Sequence, residues 1–236
     1  MCTAGFWKDK NGQIIYFKNR DNSHSHVNER YEHIDGGLFI QDDGGKCEGM
    51  NKNGTFAVGL TLKPLDGPAR EDHNPHLRDA LFSAGCPKGI LEFIIDRHKK
   101  HAFAGSFIIG DSERVFLLET VPGRSAYADL SDAKYFVQTN HGNLLLDEGA
   151  ASKNPTRERL CTCRRLIKDV ASAVDLKAML AHHEEDERGS VCRHKGEGVT
   201  WTQSSYLFYS LDRKAEILIG DYPCKGTYKT ETIGGG

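Results

Sequence analysis

The stretch MCTAGFWKDKNGQIIYFKNRD, residues 1–21, decides how this chain is interpreted. Two largely apolar runs, CTAGFW at residues 2–7 and QIIYFKNRD at residues 13–21, flank a turn sequence that ends in Asn-Gly. Asn-Gly between two such runs is typical of a β-hairpin. The sequence therefore predicts two paired strands, with Cys2 near the start of the first and Asp21 near the end of the second.

Cys2 has an unusual base available if Met1 is removed. A thiol is a good nucleophile only as the thiolate, and its ordinary pKa is about 8.5. The free α-amino group of Cys2, with a pKa of about 7.7–8.0, would accept the thiol proton and return it to a leaving amine. If Met1 is retained, His141 is the alternative base in a Cys–His dyad. From position alone, Cys2 is better explained as an ordinary small residue.

The composition is that of a globular protein and excludes several functions. The chain has 236 residues, 38% hydrophobic and 27% charged, with a net charge of -2. We therefore expect one domain over residues 1–236, with a flexible Gly-rich end and no nucleic-acid or membrane-surface partner. The sequence contains no long apolar run and turns polar too early for a signal peptide, so a cytoplasmic location is expected.

Turn signals and apolar periodicity predict strands and helices in separate blocks. Further strands are predicted at residues 36–41, 55–62, 103–111, 114–120, 133–140 and 204–222, the last as a hairpin across DRK. Helices are predicted at residues 76–85, 87–100, 154–173 and 175–187, with Asn154 and Asp175 as N-caps. This order suits an α+β fold with helices packed outside segregated sheets.

Several motifs along the chain carry a resemblance to a known family. They are MCTAG with FKNRD, EGMNKNGTFAVGL at residues 48–60, PKGILEFIID at 87–96, GSFIIGDSERVFLLE at 105–119, TNH at 139–141, TRERL at 156–160 and SSYLFYSLDRKAEILIGDYPC at 204–224. Taken in order, they resemble the Ntn hydrolases of the choloylglycine hydrolase and acyl-CoA:6-aminopenicillanate acyltransferase type. That group includes penicillin V acylases, bile salt hydrolases and the peptidase C45-like amidases. The likeness covers residues 2 to about 228.

The resemblance implies both a fold and a reaction. The fold is a four-layer αββα sandwich of two antiparallel sheets with helices outside. The reaction is attack by Cys2 on a small-molecule acyl amide or acyl thioester, without a cofactor or a metal. Hydrolysis of a linear amide is the first expectation, and acyl transfer to an amine is the alternative. A non-catalytic binding protein on a degenerate Ntn fold is the second alternative, and a homo-oligomer is left open.

The resemblance also assigns the supporting residues. Asp21 matches an Asp that would accept a hydrogen bond from the α-ammonium of Cys2, although an Asp here also suits a turn. Asn140, in TNH, matches an oxyanion-hole Asn, a role in which one donor contributes about 3 kcal/mol. An Asn in a left-handed turn is the structural alternative. Arg157 or Arg159 matches a later family Arg.

The sequence departs from the family pattern at two places. Lys18 stands where many relatives have an Arg, while the guanidinium is at Arg20, next to Asp21. Residues 18 and 20 share one face of a strand and residue 21 points to the other. Lys18 is therefore the positional match to the family Arg, and Arg20 can take its role only if the strand ends or bulges. Lys and Arg differ in geometry, so the role does not transfer unchanged. Thr61 stands where relatives often carry a second oxyanion Asn.

The cysteines and histidines allow a metal site, which the sequence does not favour. The candidates are Cys161, Cys163, His182, His183, Cys192 and His194. Because residues two apart on a helix point about 200° apart, the helical C-x-C pair is a poor chelate. We therefore predict no metal, and we expect Cys47, Cys86 and Cys224 to be small buried residues. The His-rich stretch at residues 22–33 is expected to be a polar loop or strand.

The acyl pocket has only weak signals in the sequence. Its apolar candidates are Phe6, Trp7, Phe56 and Leu60, and core packing is the better-supported use of each.

Overall fold

The predicted N-terminal hairpin is present in the computed structural model, which describes residues 2–22, 28–62, 72–145, 156–185, 187–195 and 200–234. Strand β1 (Cys2–Lys8) pairs antiparallel with β2 (Ile14–Asn22). Gly12 has a φ of 82° in the connecting turn, a conformation that glycine adopts without strain. The Asn-Gly signal therefore identifies the turn correctly.

The remaining strands follow in chain order as β3 (Arg30–Ile34), β4 (Gly37–Gln41), β5 (Cys47–Met50), β6 (Phe56–Leu60), β7 (Gly105–Gly110), β8 (Val115–Val121), β9 (Arg124–Asp129), β10 (Tyr135–Gln138), β11 (Trp201–Tyr209), β12 (Lys214–Ile219) and β13 (Lys229–Thr232). The helices are α1 (Asn74–Ser83), α2 (Pro87–Lys100), α3 (Thr156–Leu166) and α4 (Ala173–Leu180), with short 3-10 turns at Ile167–Asp169 and Glu187–Gly189. None of the described helices is long and apolar enough to span a membrane.

The described chain divides into two compact units. Unit 1 comprises residues 2–22, 134–139, 156–185, 187–195 and 200–232, and unit 2 comprises residues 28–62, 72–133, 140–145 and 233–234. The single domain expected over residues 1–236 stays a prediction.

Unit 1 is built on a sheet in which strands from distant parts of the chain lie side by side. Its order is β10-β1-β2-β11-β12-β13, and every pairing is antiparallel. Helices α3 and α4 cover one face through a core that includes Phe17, Leu207, Leu160 and Leu180. This order places the start of β1, with Cys2, in the interior of the sheet.

Unit 2 is a meander whose strands pair in chain order from β3 to β9. Helices α1 and α2 cover one face through a core that includes Leu77, Ile90, Ile94, Phe107 and Leu118. The described residues thus form two antiparallel sheets, each with its own helices, and the predicted α+β class is confirmed.

The strands that the sequence does not predict are short, polar or at sheet edges. Strands β3 and β9 are the edges of the unit 2 sheet, and β13 is an edge of the unit 1 sheet. The side chains of β9 and β13 are largely exposed, so they lack the apolar alternation that signals a strand. Strand β5 has only four residues, which is too short a pattern to detect.

Two details of the helices differ from the sequence-based expectation. The side chain of Ser172, and not Asp175, caps α4 by accepting a hydrogen bond from the Asp175 amide. Helix α4 ends at Leu180, before the polar run that was included in the predicted helix. The predicted cap Asn154 and the final glycines 235–236 lie outside the described residues.

Candidate active site

The antiparallel register determines which cation lies beside Cys2. Arg20 is the residue paired with Cys2, whereas Lys18 pairs with Ala4. Directly paired residues point to the same face of a sheet, so Cys2, Lys18 and Arg20 share one face. Strand β2 continues regularly to Asn22. Arg20 therefore lies opposite Cys2 without any break in its own strand.

Asp21 lies on the other face of β2, where two side chains hold its carboxylate. Thr202 Oγ1 donates to Asp21 Oδ1 at 2.8 Å, and Arg159 Nη1 donates to Asp21 Oδ2 at 3.0 Å. The backbone amide of Arg193 donates in turn to Thr202 Oγ1 at 3.0 Å. The carboxylate is therefore bound by both oxygens at a buried position.

A β-bulge in the neighbouring strand makes the contact between Thr202 and Asp21 possible. Thr202 pairs with Asp21, but Ser204 pairs with Arg20, so Gln203 is the extra residue in β11. In a regular strand Thr202 and Ser204 would share one face, whereas Asp21 and Arg20 point to opposite faces. The bulge resolves this conflict, as bulges commonly do where a side chain must be re-aimed.

Arg159 connects the Asp21 carboxylate to the backbone of Cys2. Its Nη1 atom donates to Asp21, and its Nη2 atom donates to the carbonyl oxygen of Cys2 at 3.0 Å. The side chains of Arg159 and Asp21 are 0% and 1% exposed. A planar guanidinium presents parallel donors in fixed geometry, so one rigid group holds both partners. The position of Cys2 is thereby tied to the buried carboxylate.

Of the two arginines weighed from the sequence, the structure brings Arg159 to this site and not Arg157. Arg157 is exposed on α3. Residues two apart on a helix point about 200° apart, so only one of the two can face the sheet. The apolar side chains of Leu160 and Cys163 belong to the same buried face as Arg159, and this was the signal available in the sequence.

Thr61 and Asn140 come together in unit 2. Asn140 Nδ2 donates to the carbonyl oxygen of Thr61 at 3.0 Å. Asn140 is buried, whereas Thr61 is exposed. The contact uses the backbone of Thr61, so it does not depend on the residue type at position 61. The oxyanion role of both residues stays a prediction.

Glu119 organises the turn that follows Asn140, a role that the sequence reasoning missed. Its fully buried carboxylate accepts hydrogen bonds from the backbone amides of Asn143, Leu144 and Leu145, at 2.8–2.9 Å. Gly142 lies inside this turn, where an added Cβ would come within 1.9 Å of the Leu145 carbonyl oxygen. The Glu at the end of the quoted hairpin motif was the available signal, but its partners are amides that no side-chain pattern reveals.

Burial makes two of the other cysteines, Cys47 and Cys163, unreactive. Burial raises the pKa of both Cys47 and Cys163 to about 12, so both are neutral thiols at ordinary pH. Cys86 and Cys224 are exposed, so the expectation that they are buried is wrong, whereas it is confirmed for Cys47. Cys2 is half-buried, next to the buried pair formed by Asp21 and Arg159.

The apolar candidates for an acyl pocket are core residues. Phe6, Trp7, Phe56 and Leu60 are each at most 3% exposed. His24 and His26 of the His-rich stretch lie outside the described residues, and His33 is an exposed residue of β3. The four apolar residues and His33 therefore make no contact that we assign to the candidate active site.

Comparison with known proteins identifies the fold. Neither a protein-family model nor a curated protein sequence matches the chain. Among solved structures, the C2A mutant of conjugated bile acid hydrolase from Clostridium perfringens is similar, with 12% identity and a TM-score of 0.62 over 98% of this chain and 97% of that one. Penicillin V acylase from Agrobacterium tumefaciens has 11% identity and a TM-score of 0.62, over 97% and 84% of the two chains.

A third similar structure is the Caenorhabditis elegans ortholog of N-acylethanolamine-hydrolyzing acid amidase. It has 10% identity and a TM-score of 0.57, over 94% of this chain and 93% of that one. All three are Ntn hydrolases that act on amides. At these identities the likeness shows the fold alone. The α+β fold of the Ntn hydrolases, implied by the motifs in the sequence, is therefore confirmed.

Proposed function

We propose that this protein is an Ntn amidohydrolase that cleaves a linear amide bond of a small N-acyl substrate through a Cys2 acyl-enzyme. The observation that carries the proposal is the buried Arg159 guanidinium, which joins the Asp21 carboxylate to the Cys2 carbonyl oxygen. A buried ion pair costs desolvation energy and is a poor device for stability alone. Its position at a half-buried cysteine supports a role in holding a nucleophile.

The proposed mechanism begins with the removal of Met1. The α-amino group of Cys2 then takes the thiol proton, and the thiolate attacks the substrate carbonyl carbon. The tetrahedral intermediate collapses as the C–N bond breaks, and the α-ammonium returns the proton to the leaving amine. Water then attacks the thioester with the same amine as base, releasing the acid and the free thiol. Asp21 and Arg159 act as positioning residues in this scheme.

The oxyanion of the tetrahedral intermediate needs hydrogen-bond donors. We assign Asn140 to this role, with Thr61 as a second candidate, on the basis of the sequence resemblance. The cation on the face of Cys2 is assigned to Arg20, because Arg20 is paired with Cys2 while Lys18 is two pairs further along. Each of these assignments can be tested by substituting the residue concerned.

The first test is the mass of the protein and of its acylated form. We expect the intact mass to show loss of Met1, and incubation with a panel of N-acyl amides and acyl thioesters to add one acyl group at Cys2. Cys2→Ala should abolish the adduct, whereas Cys161→Ala, which removes an exposed cysteine of α3, should not. If Cys2 reacted with no compound of the panel, the binding-protein alternative would be supported.

Two further outcomes distinguish the mechanistic alternatives. An adduct on Cys2 with Met1 retained would exclude the α-amine as base, and loss of that adduct in His141→Ala would then assign the base to His141. Addition of small amines to the acyl-enzyme separates hydrolysis from acyl transfer. Acylated amine in excess over free acid would favour the acyltransferase.

A further inference from the structure

Four metal-binding side chains meet in unit 1 beyond the residues assigned above. They are His183, Cys192, His194 and Cys224, and one potential ligand atom of each lies within 4.8 Å of the others. The two sulfur atoms are 3.7 Å apart, and His194 Nε2 lies 3.1 Å from Cys224 Sγ. Three of the four come from the set considered in the sequence, but Cys224 replaces the helical Cys161 and Cys163.

The sulfur–sulfur distance in this cluster matches tetrahedral zinc coordination. The 3.1 Å between His194 Nε2 and Cys224 Sγ is slightly shorter than the spacing of two zinc-bound atoms, and the four ligand atoms lie up to 4.8 Å apart, so binding of zinc requires small side-chain adjustments. With zinc–sulfur bonds of about 2.3 Å and zinc–nitrogen bonds of about 2.0–2.1 Å, tetrahedral ligand atoms lie roughly 3.3–3.8 Å apart. The observed sulfur–sulfur distance falls at the upper end of this range. It is far too long for a disulfide, whose sulfur atoms are about 2.05 Å apart. The two thiols are therefore spaced as a pair of ligands and not as a bond.

The backbone around the cluster is held by hydrogen bonds independent of any metal. The amides of Val191 and Cys192 both donate to the carbonyl oxygen of His182 at 3.1 Å, which closes the loop that carries His183 and Cys192, and His194 follows two residues later. Cys224 lies in a turn in which the amides of Lys225 and Gly226 donate to the carbonyl oxygen of Tyr222. The two segments are linked where the amide of Lys195 donates to the Tyr222 hydroxyl at 3.0 Å.

We propose that His183, Cys192, His194 and Cys224 form a structural zinc site. Two sulfur and two imidazole ligands are a set that Zn²⁺ prefers over hard cations such as Mg²⁺ and Ca²⁺. Four protein ligands fill the tetrahedron and leave no open position for substrate, so the site is structural. Cys192 is buried while His183 and Cys224 are exposed, which gives a metal ion a path from solvent. Binding releases the thiol protons to water.

The zinc site would stabilise the segment that supports Asp21. Arg193 lies between the two ligands Cys192 and His194, and its amide donates to Thr202 Oγ1, which donates to the Asp21 carboxylate. Zinc would therefore fix the last link of the hydrogen-bond chain that ends at the candidate active site. This consequence rests on the proposed function, whereas metal binding does not.

The test is metal binding by the full chain under reducing conditions. After purification with a thiol-free reductant, we expect about one zinc per chain by elemental analysis. Cobalt added to the metal-free protein should give the visible bands of a tetrahedral site and the charge-transfer band of thiolate ligation. Cys224→Ser and Cys192→Ser should each weaken cobalt binding by more than about a hundredfold, since loss of even an outer-shell partner costs 10–100-fold.

Matched variants control for general effects of removing a cysteine or a histidine. Cys161→Ser removes another exposed cysteine, and His182→Asn removes the histidine next to His183; both should bind cobalt like the parent. Metal loading below a tenth of an equivalent with excess zinc, or cobalt binding that survives loss of both Cys192 and Cys224, would overturn the proposal. So would a Cys192–Cys224 disulfide in the reduced preparation. Because the readout is spectroscopic, failure here leaves the proposed acyl chemistry unaffected.

Discussion

At the scale of single residues, the feature that matters most is a guanidinium buried between a carboxylate and a carbonyl oxygen. Arg159 makes one hydrogen bond to Asp21 and one to Cys2, and its side chain is fully buried. Removal of one member of a buried ion pair leaves an uncompensated charge, which costs more than the pair itself contributes. The adjacent Arg157, exposed on the same helix, provides a matched control.

Arg159→Leu should lower the free energy of unfolding by roughly 3–5 kcal/mol, because the buried Asp21 would lose its ion-pair partner. Arg157→Leu should change it by less than about 0.5 kcal/mol, as is usual for exposed positions. Denaturant titration followed by circular dichroism measures both. The double variant Arg159→Leu with Asp21→Leu should recover part of the loss. Equal effects of the two single arginine variants would show that burial of Arg159 is unimportant.

The oxyanion assignment makes a prediction about kinetics and not about stability. Asn140→Ala should reduce kcat by about a hundredfold to a thousandfold on any substrate that acylates Cys2, since one oxyanion donor contributes about that much. KM should change little. Asn143→Ala, in the same turn, is the control and should retain kcat, because the turn is held through its backbone amide. If Asn140→Ala retained the kcat of the parent protein, Asn140 would have no part in the mechanism.

At the scale of elements, helix α2 carries a buried histidine that responds to pH. His98 Nε2 lies 2.9 Å from the carbonyl oxygen of Val121, so this nitrogen donates the hydrogen bond. Burial lowers the pKa of His98 below its ordinary value of 6.5 and outweighs the backbone hydrogen bonds that raise it. The folded state therefore favours the neutral ring, while the unfolded chain binds a proton near pH 6.5.

We therefore expect His98 of α2 to make the protein less stable in acid. As the pH falls below about 6.5, the unfolded state takes up a proton that folded His98 resists, so the free energy of unfolding should decrease. His98→Gln, which retains a donor for Val121, should reduce this decrease, as measured by urea titrations between about pH 7 and pH 5. His101→Gln, at the end of the same helix, serves as control. A parent-like pH slope in His98→Gln would contradict this account.

Element prediction from sequence succeeds where the chain has a strong local signal. The Asn-Gly turn of the first hairpin, the Pro at the start of α2 and the apolar runs of β7 and β8 are all local, and the corresponding elements are confirmed. Edge strands such as β9 and β13 are not predicted from the sequence, because half or more of their side chains face water and no apolar alternation remains.

At the scale of the whole molecule, the two units differ in how their sheets are assembled. The unit 2 sheet joins strands in chain order, whereas the unit 1 sheet places β2 beside β11, about 180 residues later in the chain. Such non-local pairing cannot be deduced from turn signals, because nothing in the local sequence specifies the partner. The residues around Asp21 depend on this pairing.

Cys163 in unit 1 and Cys47 in unit 2 are deeply buried thiols that report on the intact fold. With pKa values of about 12, both should react with iodoacetamide at neutral pH more than about a thousandfold more slowly than an ordinary thiol with a pKa of about 8.5. Cys86 and Cys161 are exposed and should be alkylated before Cys47 and Cys163, as measured by peptide mass mapping. In denaturant all of these should react alike. Rapid labelling of Cys163 in the native protein would contradict its place in the core.

The sequence by itself determined the first hairpin, the class of fold and the candidacy of Cys2 and Asp21, because turn chemistry, periodicity and ordered motifs act over short stretches. Only the tertiary structure decided that Arg159 and not Arg157 reaches Asp21, that Arg20 pairs with Cys2, and that Glu119 holds the turn after Asn140. It also placed Cys224 beside Cys192. These outcomes depend on strand register, helix phase and loop closure, each of which requires distant segments of the chain to meet.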